Sequence, residues 1–277
     1  AIGYNALQQT TNGSENTAVG SQALEANQTG LRNTAVGYQA LEANLANDNT
    51  AIGRQTLLVN TTGGRNVAVG KSCLTSNQDA SDNTGVGYNN LLANTTGSGN
   101  TAVGSDALRY NTTAASNTAV GYNAAKSNTT AGQNTAIGRD ALKSNTTGYS
   151  HTAVGAGALD NQNGGYHCTA VGVDALAAST SGVNNTAIGH SALDSVTSGN
   201  HNTAVGQGAG HSNQTGNSLT VVGQQCGANC TTSNLTAMGA YAAFNVTSGG
   251  QNTAIGDNAL RTATTAINNV ALGTNAL

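Results

Sequence analysis

One spacing governs this sequence. A glycine preceded by a small residue and an aliphatic one falls at Gly3, Gly20, Gly37, Gly53, Gly70, Gly87, Gly104, Gly121, Gly138, Gly155, Gly172, Gly189, Gly206, Gly223, Gly239, Gly256 and Gly273. Of the 16 intervals between these 17 anchors, 14 are 17 residues long and two are 16. A fixed period of this size marks a chain built from stacked repeats, each unable to bury its apolar face alone. The period runs from end to end without a linker or a shift in composition, so residues 1–277 read as a single continuous array.

The consensus is N-T-A-V-G-x-x-A-L-x-x-N-T-T-G-x-x. The residue before the anchor is apolar each time, and the one before that is Ala in 15 of 17 repeats, with Gly85 and Val221 as exceptions. Thr precedes that Ala in 14 of 16 repeats, with Val67 and Val270 as exceptions, and Leu stands four after the anchor in 13 of 17. N-T-A-V-G reads as a short strand, because β-branched residues favour extended backbone. Alternation along a strand puts Thr and the aliphatic on one face and Ala on the other. The Val-for-Thr exchanges suggest that the Thr–aliphatic face is inward, leaving Ala outside. Glycine ends the strand, x-x-A-L reads as a second short strand, and N-T-T-G reads as a turn. Helix is disfavoured, since each interior Gly costs about 1 kcal/mol.

The fold class that follows is all-β: a parallel β-solenoid, or β-roll, of about 17 coils of 17 residues with two short strands per coil. Coils stacked at ~4.8 Å would extend roughly 80 Å. The Asn that opens the strand, present in 12 of 16 repeats, should stack into a ladder. Composition agrees. Aromatic residues are 3% and charged residues 8%, too few for a thick core or a charged disordered chain. The nine Lys and Arg are scattered singly, which argues against nucleic acid. No apolar run approaches the ~18 residues of a membrane span, so membrane insertion is not expected. The chain starts and stops inside a repeat, as a segment of a longer protein would.

NTAVGYQAL (Asn33 to Leu41), NTAIGRDAL (Asn134 to Leu142) and NTAIGDNAL (Asn252 to Leu260) resemble the repeats of trimeric autotransporter adhesin heads, the YadA-like β-roll. They are equally similar to repeat regions of bacterial and phage tail-fibre-like surface proteins. The resemblance covers the whole chain. It implies left-handed coiling, a trimer and surface attachment. The period here is longer than the usual adhesin-head repeat, and no neck, stalk or anchor is present.

Several residues are candidate sites. N-x-[ST] sequons recur in one slot at Asn27, Asn60, Asn94, Asn111, Asn128, Asn145 and Asn213. One slot is one line along a solenoid, so these residues read either as a projecting glycan row or as turn asparagines followed by Thr. Cys226 and Cys230 share a coil and are the only pair able to bridge locally. A disulfide, free thiols and a weak metal site are the three readings. Cys73 and Cys168 lie about six coils apart, roughly 29 Å, beyond disulfide reach. The five histidines are spread over four slots, only His167 and His201 sharing one, and form no cluster. Tyr4, Tyr38, Tyr88 and Tyr122 follow the anchor glycine and read as exposed turn residues or as a contact stripe for carbohydrate or a partner. Gly210, Gly227 and Ala243 lack the consensus Leu while Leu219 and Leu235 replace the ladder Asn, which reads as a repacked core or a weak zone.

No nucleophile–base grouping or phosphate loop stands out, so catalysis and cofactors are not expected. The leading expectation is an extracellular or cell-surface fibre or filament subunit, structural or adhesive. It would self-associate as a homo-oligomer, a trimer or an end-to-end filament, through the flat Ala face, and it would meet host or surface glycans or proteins. The alternative is an ice-binding solenoid using the turn pairs Thr95-Thr96, Thr112-Thr113 and their equivalents. A glycan-cleaving solenoid is a third class, weakened by the scarcity of paired carboxylates.

Overall fold

The computed structural model describes all residues, 1–277, and divides into two compact units, Ala1–Asn134 and Thr135–Leu277. Both are all-β parallel solenoids without helices.

In the first unit the strands are β1 Thr17–Val19, β2 Thr34–Val36, β3 Thr50–Ile52, β4 Val67–Val69, β5 Thr84–Val86, β6 Thr101–Val103 and β7 Thr118–Val120. Each pairs in parallel with the next in one constant register, as in Thr17↔Thr34, Ala18↔Ala35 and Val19↔Val36, with Val67 and Gly85 taking the Thr and Ala places of β4 and β5. Ile2 adds an isolated bridge to Val19. In the second unit β8 Thr135–Ile137, β9 Thr152–Val154, β10 Thr169–Val171, β11 Thr186–Ile188, β12 Thr203–Val205, β13 Thr220–Val222, β14 Thr236–Met238, β15 Thr253–Ile255 and β16 Val270–Leu272 stack in the same way. The two 16-residue intervals keep the register, pairing Thr34 with Thr50 and Thr220 with Thr236.

There is one strand per coil, not two. The x-x-A-L stretch is a turn whose second and fourth residues have positive φ, as at Gln22 (59°) and Leu24 (52°). All 13 leucines of this slot sit in the left-handed region, although that backbone is unfavourable for a residue with Cβ. Coil-to-coil hydrogen bonds hold it there. Gln22 N–H donates to the Tyr4 carbonyl of the coil before (2.8 Å), and Leu24 N–H to the Ala40 carbonyl of the coil after (3.0 Å). The turn therefore continues the hydrogen-bonded stacking without forming a second strand.

The strand faces are also opposite to expectation. Ala is buried in every TAV strand, and Thr and the aliphatic point outward, half-buried or exposed. The reason is room. The interior already holds the buried Ala and Leu of the turn, such as Ala23 and Leu24, and the buried asparagines, so only a methyl fits beside them. The Ala face is therefore core and cannot meet another chain. The anchor glycines close the packing. Gly20 has φ +133°, and a Cβ there would lie 2.4 Å from the Gly37 carbonyl oxygen of the next coil.

The two exceptions in the Ala slot are accompanied by changes in neighbouring residues. Cys73 stands where the turn Ala is usual, and a Cβ on Gly85 would sit 2.4 Å from its Sγ. Near β13, Val221 replaces Ala, Leu219 and Leu235 replace ladder Asn, and the usual Leu positions hold Gly210 and Gly227. A Cβ on Gly210 would meet Leu193 Cδ2 at 2.7 Å and Leu219 Cδ2 at 3.2 Å. The core here is repacked: leucine has moved from the left-handed turn to the head of the strand, and glycine fills the strained position it left.

Candidate functional site

Two asparagine ladders run through the interior. The one at the head of the strand links side chain to backbone. Asn16 Oδ1 accepts from Asn33 N–H (2.9 Å), Asn33 Oδ1 from Asn49 N–H (2.9 Å), and Asn49 Oδ1 from Asn66 N–H (2.9 Å). His151 and Cys168 take Asn positions in the second unit and copy the bonding. His151 Nδ1 accepts from Cys168 N–H (3.3 Å), and Cys168 Sγ donates to the Gly182 carbonyl (3.2 Å). Burial lowers the His151 pKa to about 4, partly offset by its hydrogen bond with Gly164.

The second ladder is made by the turn asparagines, and it relocates the sequons. Asn94 Nδ2 donates to Asn77 Oδ1 (2.9 Å) and to the Gly97 carbonyl of its own turn (3.0 Å). Asn111 and Asn128 repeat the pair of bonds, to Asn94 Oδ1 and Asn111 Oδ1 and to the Ala114 and Ala131 carbonyls. Asn60 does the same, to Asn44 Oδ1 and Gly63. Asn27, Asn145 and Asn213 donate to the carbonyls of Gly30, Gly148 and Thr232. All seven candidate glycosylation sites, Asn27, Asn60, Asn94, Asn111, Asn128, Asn145 and Asn213, are fully buried. The row expected to project from the surface lies inside. These amide nitrogens are buried hydrogen-bond donors, and burying them unbonded would be costly.

All four cysteines are free and buried, so Cys226 and Cys230 are not bridged. Cys226 fills an Ala slot and Cys230 a turn-Asn slot, where its Sγ lies 3.2 Å from Thr232 Oγ1. Burial pushes the Cys73 and Cys226 thiols up to about 12 and raises Cys168 and Cys230 as well, so none is poised as a thiolate. No group of three or more His, Cys, Asp or Glu is placed to hold a metal ion.

Chemistry available to a partner lies on the outward rows. The first threonine of the turn pair commits its hydroxyl, as Thr95 Oγ1 donates to the Thr112 carbonyl and Thr112 Oγ1 to the Thr129 carbonyl, both at 3.1 Å. The strand threonines form no intramolecular side-chain hydrogen bond and stand in register beside the aliphatic row, of which Ile52 and Ile188 are each 41% exposed. In the first unit one flank carries alternating charge: Glu15, Arg32, Asp48, Arg65 and Asp82. Arg32 pairs with Asp48 (2.6 Å) and Arg65 with Asp82 (2.7 Å), holding both carboxyls below the usual range. The other flank carries the exposed Tyr4, Tyr38, Tyr88 and Tyr122 as expected, together with Arg54 and Lys71.

Two groupings were not singled out from the sequence. Tyr149 and Tyr166 stack at 5.4 Å, with His167 edge-on to both. Glu25 and Glu42 share one slot in adjacent coils and line a shallow groove with Gln9, Leu58 and Val59. Burial, then the Glu25 charge, raises the Glu42 pKa. In both groupings the 17-residue spacing was the available signal. No protein-family model matches this chain, and no curated protein matches it.

Proposed function

We propose that the chain is a non-catalytic structural segment of an extracellular or cell-surface fibre, serving reach, rigidity and presentation of its outward rows. One observation carries this reading. Coil after coil repeats the same thin core, and His151 and all four cysteines are absorbed into that core as stand-ins for Asn and Ala. Self-association belongs to the same proposal. With Ala inside, the Thr–aliphatic rows are the surface that would meet further copies, a trimer among them. Negative-stain images of the purified chain test it. Rods of uniform width are expected, and compact particles would contradict it. Sedimentation velocity tests the self-association, which a concentration-independent monomer would rule out.

Ice binding stands as a second reading, favoured by the strand threonines rather than those of the turns. Their hydroxyls are uncommitted and stacked at one coil spacing, alternating with apolar side chains along each strand. Thermal hysteresis at millimolar protein is the measurement, and its absence removes this reading.

A further inference from the structure

Tyr38, Arg54, Lys71 and Tyr88 each follow the anchor glycine in four successive coils of the first unit. The in-register stacking of β2 to β5 therefore sets them in one row. All four are exposed. At ~4.8 Å per coil the two rings are about 14 Å apart, with both cations between them. The Arg54 guanidinium carbon lies 5.9 Å from the Tyr38 ring centroid, and Lys71 Nζ lies 5.5 Å from that of Tyr88. Each cation lies over the ring of a neighbouring coil.

No carboxylate neutralises either cation. The ion pairs of this unit are Arg32–Asp48, Arg65–Asp82 and Arg109–Asp106, and Arg54 and Lys71 belong to none. The fold does not require such side chains, since Ser21 and Ser105 occupy the same slot elsewhere in the unit. Beside the row Gln55 Nε2 donates to Gln39 Oε1 (3.1 Å), leaving further amide donors and acceptors. Two residues before Arg54 and Tyr88 stand the exposed Ile52 and Val86.

We propose that this row binds a linear acidic polysaccharide. Tyr38 and Tyr88 take the apolar faces of sugar rings on the ring faces turned away from the cations, Arg54 and Lys71 take the carboxylates of successive uronic acids, and the Gln39 and Gln55 amides take hydroxyls. The proposal rests on the surface-presentation reading above and gives it a ligand class. A nucleic acid fits less well. Two cations neutralise two phosphates, affinity for nucleic acid scales with the number neutralised, and the chain has a net charge of -3.

The test is binding of the 277-residue chain to immobilised polygalacturonate by surface plasmon resonance, with methyl-esterified polygalacturonate and oligo-dT as comparison surfaces. The expected result is saturable binding to the acidic polymer, at least tenfold weaker to the esterified one. Arg54→Gln/Lys71→Gln and Tyr38→Ala/Tyr88→Ala should each weaken it at least tenfold, while Lys126→Gln leaves it unchanged and all variants keep the wild-type circular dichroism. No binding, equal binding by the variants, or equal or tighter binding to oligo-dT would overturn the proposal. Negative-stain images of the same preparations keep the two readings apart. Intact rods without binding leave the structural reading standing, whereas compact particles remove that reading itself.

Discussion

Cys73 and Gly85 are a fitted pair: the sulfur of one fills the space that a Cβ on the other would need, 2.4 Å away. Neither is the consensus residue of its slot, and the departures compensate. Gly85→Ala should therefore lose about 1–3 kcal/mol of stability, the usual cost of overpacking. In a Cys73→Ala background the same change should be close to neutral. A double-mutant cycle by urea unfolding reads the coupling, and additive single effects would show that the two residues do not share the space.

The same compensation operates around Val221. Gly210→Leu should destabilise by about 1–3 kcal/mol, because its Cβ meets Leu193 and Leu219 at 2.7 and 3.2 Å. The triple change Gly210→Leu, Leu219→Asn and Val221→Ala restores the consensus and should recover most of the loss. Thermal unfolding of the single and triple variants checks this.

Asn94 separates the sequon from the ladder. Asn94→Ala removes a buried amide and leaves Asn77 Oδ1, Asn111 Nδ2 and the Gly97 carbonyl short of partners, each worth about 1–3 kcal/mol. Thr96→Ala also destroys the sequon, but Thr96 is exposed and should tolerate the change within about 0.5 kcal/mol. Equal effects of the two in denaturant titrations would place Asn94 outside the core.

His151 gives the fold an acid-sensitive point. Its pKa falls from the ordinary 6.5 to about 4 on folding, so between these values the unfolded chain binds the extra proton. Stability contributed by the neutral ring is complete above pH 6.5 and is lost as pH falls towards 4, by up to about 3 kcal/mol. Unfolding midpoints at pH 7 and pH 4.5 should differ more for the wild type than for His151→Asn. An unchanged difference would assign the acid sensitivity elsewhere.

The period made the coil, the parallel register and the strand position legible, because a constant spacing admits one stacking. The second strand was misread. Alternating left-handed backbone at positions such as Gln22 and Leu24 leaves no mark in composition, since Leu rarely adopts it and only neighbouring coils hold it there. The Val67 and Val270 exchanges point to the wrong inward face, because an outward row beside the aliphatics accepts Val as readily as Thr, whereas the near-constant Ala marks the packed side. The better signal lay in the exceptions. Gly85 comes with Cys73, and Val221 with Gly210 and Gly227, and only a packed interior demands such compensation. The sequon row was left between a glycan row and turn asparagines for a related reason. The slot was recognised as one line along the solenoid, but a thin fold satisfies its interior with asparagine as readily as with leucine.

Which side of the strand is core is the claim on which the other assignments depend, and single cysteines on β6 test it directly. The four native cysteines are buried, so background labelling of the folded chain is low. Maleimide labelling rates of Thr101→Cys, Ala102→Cys and Val103→Cys are compared in the native state and in denaturant. The account predicts rapid native labelling at 101 and 103 and protection at 102, while protection at 101 and 103 with rapid labelling at 102 would contradict it.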